Sequence, residues 1–93
     1  MRYIDWNESK NIKLQKEREI CFEDVLVAIA EGNLLDILIH PNSDRYNNQS
    51  IFVVRINNYI FLVPFVEDEK KIFLKTIVPS RKLTKQYIKG EAR

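Results

Sequence analysis

Two runs rich in β-branched and aromatic residues, Ile51–Ile56 (IFVVRI) and Tyr59–Val66 (YIFLVPFV), stand on either side of a single Asn57-Asn58 dipeptide. Asparagine tolerates the left-handed backbone that a two-residue turn demands, so this stretch predicts an antiparallel hairpin. Pro64, inside the second run, has no N–H to give a ladder and marks an edge position or a bulge. Two more strands are expected around the hairpin. Leu34–His40 (LLDILIH) ends at Pro41 and a turn-rich 42–48, and Ile72–Val78 follows the acidic turn Glu67-Asp68-Glu69.

The flanks read as helices. Asp5 or Asn7 can cap a helix over about 7–18, with Glu8 in its first turn and Trp6, Ile12 and Leu14 toward the core. Phe22, Val25, Leu26 and Ile29 recur at helical spacing, predicting a second helix from Phe22 to Glu31 with Gly32 at its end. A last helix is expected over Arg81–Lys89, stopped by Gly90. The resulting expectation is one α+β domain over 1–93: two N-terminal helices, a four-stranded antiparallel sheet and a C-terminal helix.

With 93 residues, 45% of them hydrophobic and ten aromatic, the chain can build one thin core. The single cysteine, Cys21, cannot close an intramolecular disulfide, and no Cys/His cluster offers a zinc site. No metal or other cofactor is expected. The opening MRYIDWNESKNIK lacks an apolar stretch of signal-peptide length, and no run approaches a membrane span. The expected compartment is the reducing cytoplasm.

The net charge of +2 hides a strong asymmetry. From Lys70 onward, eight basic residues face only Glu91, a net of +7, which leaves −5 on the first 69 residues. Lysines also collect on solvated helices for solubility alone, but a basic segment of this strength fits an anionic partner, RNA first among them.

Two stretches carry a resemblance. Ile4-Asp5-Trp6-Asn7-Glu8-Ser9-Lys10-Asn11, followed by Cys21-Phe22-Glu23-Asp24, resembles the opening of BrnT-like toxins of bacterial type II toxin–antitoxin pairs, F-x-W-D-E-x-K-N and then V-S-F-E-E. Ile77-Val78-Pro79-Ser80-Arg81-Lys82-Leu83-Thr84-Lys85 resembles that family's I-I-S-A-R-K-A-T, with Tyr87 near a typical tyrosine. The middle hairpin is similar in length and pattern, Arg55 and Glu67 included. The resemblance implies a RelE-like fold, metal-independent RNA cleavage that arrests translation, and a cognate antitoxin protein as partner. The chain departs from the pattern at Glu17-Arg18-Glu19, where relatives often have K-H-G, and at Phe65, where a histidine is frequent.

Metal-free cleavage of RNA requires removal of the 2′-hydroxyl proton, neutralisation of a dianionic phosphorane and protonation of the leaving oxygen. Arg81 is the first choice for phosphate: its planar fork pairs with phosphate oxygens, and it opens a helix. An internal ion pair with Glu67 or Glu69 is the competing role. Arg81 with Lys85, and Lys82 with Lys89, form two basic columns at helical spacing. Arg55, flanked by Val54 and Ile56, suits a substrate groove or a cross-strand ion pair with Glu67. Lys75 could share its face. For proton transfer the candidates are Lys82 or Lys85 as a lysine base, Glu67 if desolvated, and Tyr87, which could also stack or simply pack. His40 titrates in the useful range but precedes Pro41, where a structural role is commoner. Tyr46 offers a stacking surface with Arg45 beside it for phosphate. Cys21, at a helix start, reads as a small core residue. The functional expectations are an RNA-cleaving toxin, a catalytically silent nucleic-acid-binding module, or an interaction protein whose basic helix an acidic partner covers.

Overall fold

Asn57 and Asn58 adopt φ values of 53° and 61°, the left-handed pair that closes the predicted hairpin. The structure, a computed structural model, describes residues 3–39 and 49–89. The hairpin joins β3 (Gln49–Ile56) to β4 (Tyr59–Glu67) in unbroken register from Gln49↔Val66 to Ile56↔Tyr59. Around it lie β1 (Tyr3–Trp6), α1 (Glu8–Arg18), α2 (Phe22–Ala30), β2 (Leu34–Ile39), β5 (Lys71–Leu74) and β6 (Val78–Pro79). Then come α3 (Arg81–Thr84) and a π-helical turn, Lys85–Lys89.

The fold is α+β, as expected, but the sheet is not four antiparallel strands. Its order is β1-β5-β4-β3-β2 with β6 also on β4, and β1 runs parallel to β5. The sequence predicts no strand at Tyr3–Trp6, offering there only Asp5 as a helix cap and Trp6 as a core-facing residue. Four residues carry too little pattern to announce a strand whose partner lies almost seventy residues away.

The expected strand Ile72–Val78 is two pieces. Leu74 pairs with Phe65 and Val78 with Leu62, so Lys75, Thr76 and Ile77 oppose only Val63 and Pro64. This is a bulge of one residue. The backbone groups of Ile60 and Pro64 turn away from β3, toward Ser80 and Lys75. The missing N–H of Pro64 therefore falls in the bulge, where no ladder bond is lost, and of the two roles expected for Pro64 the bulge is the one observed. The extra residue also resets the alternation: Leu74 and Ile77, three apart, are both buried while Lys75 is exposed.

One face of the sheet meets the helices. Phe52, Val54 and Ile56 of β3 and Val63 and Phe65 of β4 pack with Leu14, Ile20, Phe22, Val25 and Ala28. Within α1 the core position is taken by Asn11 rather than Ile12, which is 52% exposed. Asn7 caps this helix, its side chain accepting from the Lys10 amide. Glu19 then takes a left-handed conformation to end it.

Candidate nucleic-acid interface

Ser80 and Thr84 anchor the last helical segment to β4. The Ser80 amide donates to the Ile60 carbonyl at 2.9 Å, and the Ile60 amide donates to Thr84 Oγ1 at 2.9 Å. The buried Thr84 hydroxyl donates in turn to the Ser80 carbonyl, four residues back, at 2.7 Å. Such a hydroxyl competes for the carbonyl of the preceding turn and loosens a helix locally. The α-helix accordingly lasts only four residues before it widens into the π turn. Of the two basic columns expected from regular helical spacing, Arg81 and Lys85 remain linked at α-helical spacing, the Lys85 amide reaching the Arg81 carbonyl, whereas Lys82 and Lys89 lie on opposite sides of the junction.

Arg81, Lys82, Lys85 and Gln86 line an open groove of about 550 Å³. All four are exposed, and the three cations have no ion-pair partner among the described residues. Ser80 Oγ accepts from the Leu83 amide at 3.2 Å and the Ser80 carbonyl from the Thr84 amide, so two amides of this short helical turn are already engaged. The walls are largely the aliphatic stems of these residues, which can lie under a nucleobase while the charged ends reach phosphate.

Arg55 stands at the same end of the sheet. It is opposite Ile60 in the ladder, and Ser80 bonds Ile60 from the other side, so Arg55 and Ser80 are two strand spacings, about 10 Å, apart. The Arg55 guanidinium donates to Asn58 Oδ1 at 2.7 Å. Its expected pairing with Glu67 does not occur, because Glu67 lies seven residues farther along β4, about 23 Å away, opposite Ile72. The same distance separates Glu67 from the groove and removes the alternative pairing of Arg81 with Glu67. Lys75 sits at the bulge, its amide on the Pro64 carbonyl at 2.8 Å, and does not line the groove. Tyr87 is half-buried in the π turn. The Lys89 side chain, and His40, Arg45 and Tyr46, lie outside the described residues.

Elsewhere in the basic segment, Lys71 is drawn to the far edge of the sheet. Lys71 Nζ is 3.8 Å from Asp5 Oδ2 and 5.6 Å from the centre of the Phe73 ring. The Lys70 and Lys71 amides both donate to Asp68 Oδ1, which holds that carboxyl below its usual range. Burial raises the Cys21 thiol above its usual value despite its place at a helix start; the residue is half-buried at the N-cap of α2 and does not join the core as expected.

The residues that carry the N-terminal resemblance also converge, as a joint between elements. The Trp6 and Phe22 rings stack at 5.5 Å. Asn11 Nδ2 donates to Glu8 Oε1 and Glu23 Oε1, at 3.2 and 2.8 Å. The bond from Asn11 is the main reason that the Glu23 carboxyl is held below its usual range. Nothing in the sequence joins these residues directly; the only available signal is a polar residue at a core-facing helical position. Among the described residues no His/Cys/Asp/Glu group could hold a metal ion, and no described helix is long and apolar enough to cross a membrane. Comparison with family models, with curated proteins and with solved structures gives no match.

Proposed function

We propose that this chain binds RNA in the groove of its last helical segment and cleaves it without a metal, as a cytoplasmic BrnT-like toxin of RelE-like fold restrained by a cognate antitoxin. The observation that carries this reading is the groove: Arg81, Lys82 and Lys85 around a concavity of about 550 Å³, with no internal carboxylate to neutralise them among the described residues. Such cations attract a polyanion and gain from the counterions it releases. In the proposed reaction the Arg81 fork neutralises the phosphorane, and Lys82 or Lys85 exchanges the proton. Arg55 does not line this groove but a separate pocket with Asp24 and Glu31, so its part is limited to a strand that runs on past the hairpin end of the sheet. The resemblance of the segments around Trp6, Phe22 and Arg81 contributes the toxin and antitoxin part of the reading.

A second reading, RNA binding without cleavage, is favoured by one observation. The groove lining contains neither a carboxylate nor an imidazole, and Glu67 stands about 23 Å from Arg55 along the strand. Induced expression in bacteria, wild type beside Arg81→Ala/Lys82→Ala, tests both. Growth arrest with loss of intact RNA, abolished in the variant, is the expected result. Salt-sensitive RNA binding without breakdown selects the second reading, and no RNA affinity at low salt removes both.

A further inference from the structure

Both edges of the sheet carry the same device. On β1, Trp6 turns its amide away from β5, and Asp5 Oδ1 accepts it at 2.8 Å. On β2, Asp36 and Leu38 face their partners Val53 and Ile51, because those β3 residues turn their backbone toward β2, as the Arg55 amide does to the Asn33 carbonyl. Ile37 therefore faces outward, and Asp36 Oδ1 accepts its amide at 2.8 Å. A carboxylate folded onto an outward N–H occupies a donor that an incoming strand would otherwise use.

The two edges differ in what answers the charge. Asp5 has Lys71 at 3.8 Å. Asp36 has no cation among the described residues, and it is the single charge in an edge strand whose Leu35, Ile37, Leu38 and Ile39 are 37–75% exposed. Exposed apolar side chains on a sheet edge suit strand addition, and a lone acid among them restricts which strand can enter: apolar positions give affinity, and the charge selects a partner that can answer it.

We propose that β2 receives an extended, apolar segment of another protein bearing a lysine or arginine opposite Asp36. The incoming cation draws the carboxylate off the Ile37 amide and frees that amide for the ladder. A second copy of the chain fits less well. Antiparallel pairing centred on Ile37 would set each Asp36 against Leu38 and bury both charges without a counterion. This inference is independent of the RNA reading, because β3 and β4 stand between β2 and β6 with its basic groove.

The test is fluorescence anisotropy with two labelled heptapeptides of alternating valine and threonine, one with a central lysine and one with a central glutamate. The full chain should bind the lysine peptide roughly tenfold more tightly. Asp36→Lys should reverse the preference and Asp36→Asn should abolish it, with circular dichroism showing both variants folded. Equal affinities, binding of neither peptide at millimolar concentration, or an unchanged preference in Asp36→Lys overturns the proposal. Concentration-dependent dimerisation in sedimentation, lost in Ile37→Pro, also overturns it by giving the edge to a second copy.

Discussion

Asn11 Oδ1 accepts the buried amide of Phe22 at 2.7 Å, tying the middle of the first helix to the first turn of the second. The amide would otherwise be an orphan donor at a helix start, in a place water does not reach. The same side chain donates to Glu8 and Glu23, so a residue only 5% exposed satisfies three groups. Asn11→Ala should cost about 1–3 kcal/mol, the usual penalty for stranding a buried backbone donor. Asn11→Asp keeps the acceptor but sets a third carboxylate against Glu8 and Glu23. The crowding raises carboxyl pKa values in the folded state, so the variant's deficit should be largest near neutral pH and shrink as acid neutralises the cluster. Urea titrations at about pH 7 and about pH 4 check both.

Thr84 performs the equivalent task at the other end of the chain, with its hydroxyl between the Ile60 amide and the Ser80 carbonyl. Thr84→Val preserves shape and removes both bonds. The buried Ile60 donor loses its acceptor, and a loss of about 1–3 kcal/mol is expected. Without the competing hydroxyl, the following residues should return toward an α-helix. Denaturation gives the first effect, and amide exchange at Ile60 and at the 85–89 turn the second.

The hairpin was legible because its turn is a local matter: two asparagines suffice wherever two strands meet. Pro64 was legible as an edge or a bulge, but the choice belonged to the chain beyond residue 74, which no neighbour of Pro64 reveals. β1 was not legible, because a parallel partner is selected by the long excursion through α1, α2 and the meander. Ile12 was placed inside by helical period, which counts apolar residues and cannot foresee that Asn11 finds three hydrogen-bonding partners. The basic segment was legible as a charge and not as a place. Of its described members only Arg81, Lys82 and Lys85 share a groove. The turn before β5 and the bulge after it carry Lys70, Lys71 and Lys75 elsewhere.

That division predicts which lysines RNA senses. Removing one cation that touches phosphate flattens the slope of log K against log salt by roughly 0.7 for a single strand. Arg81→Ala/Lys82→Ala should flatten it by about two such steps, or roughly 1.4. Lys75→Ala and Glu67→Ala should leave slope and affinity near wild type. Salt titrations with a single-stranded oligonucleotide measure all three.

Asp68 sets the acid limb of stability at the β4–β5 turn. The Lys70 and Lys71 amides hold its folded pKa below the ordinary value of 3.8. A carboxyl depressed by folding binds fewer protons in the native state, so its contribution is present above about 3.8 and fades as pH falls through the lower folded value. Asp68→Asn keeps an oxygen for the two amides but has no proton to gain. Its unfolding midpoint should trail wild type near neutrality, and the gap should close as pH falls through the lowered folded value. Glu23, depressed chiefly by the Asn11 side chain, adds a loss of the same sign, which Asp68→Asn retains. Unfolding midpoints of the two proteins across this range decide the matter: a gap that stays constant with pH would mean that the Asp68 carboxyl gains nothing from those amides.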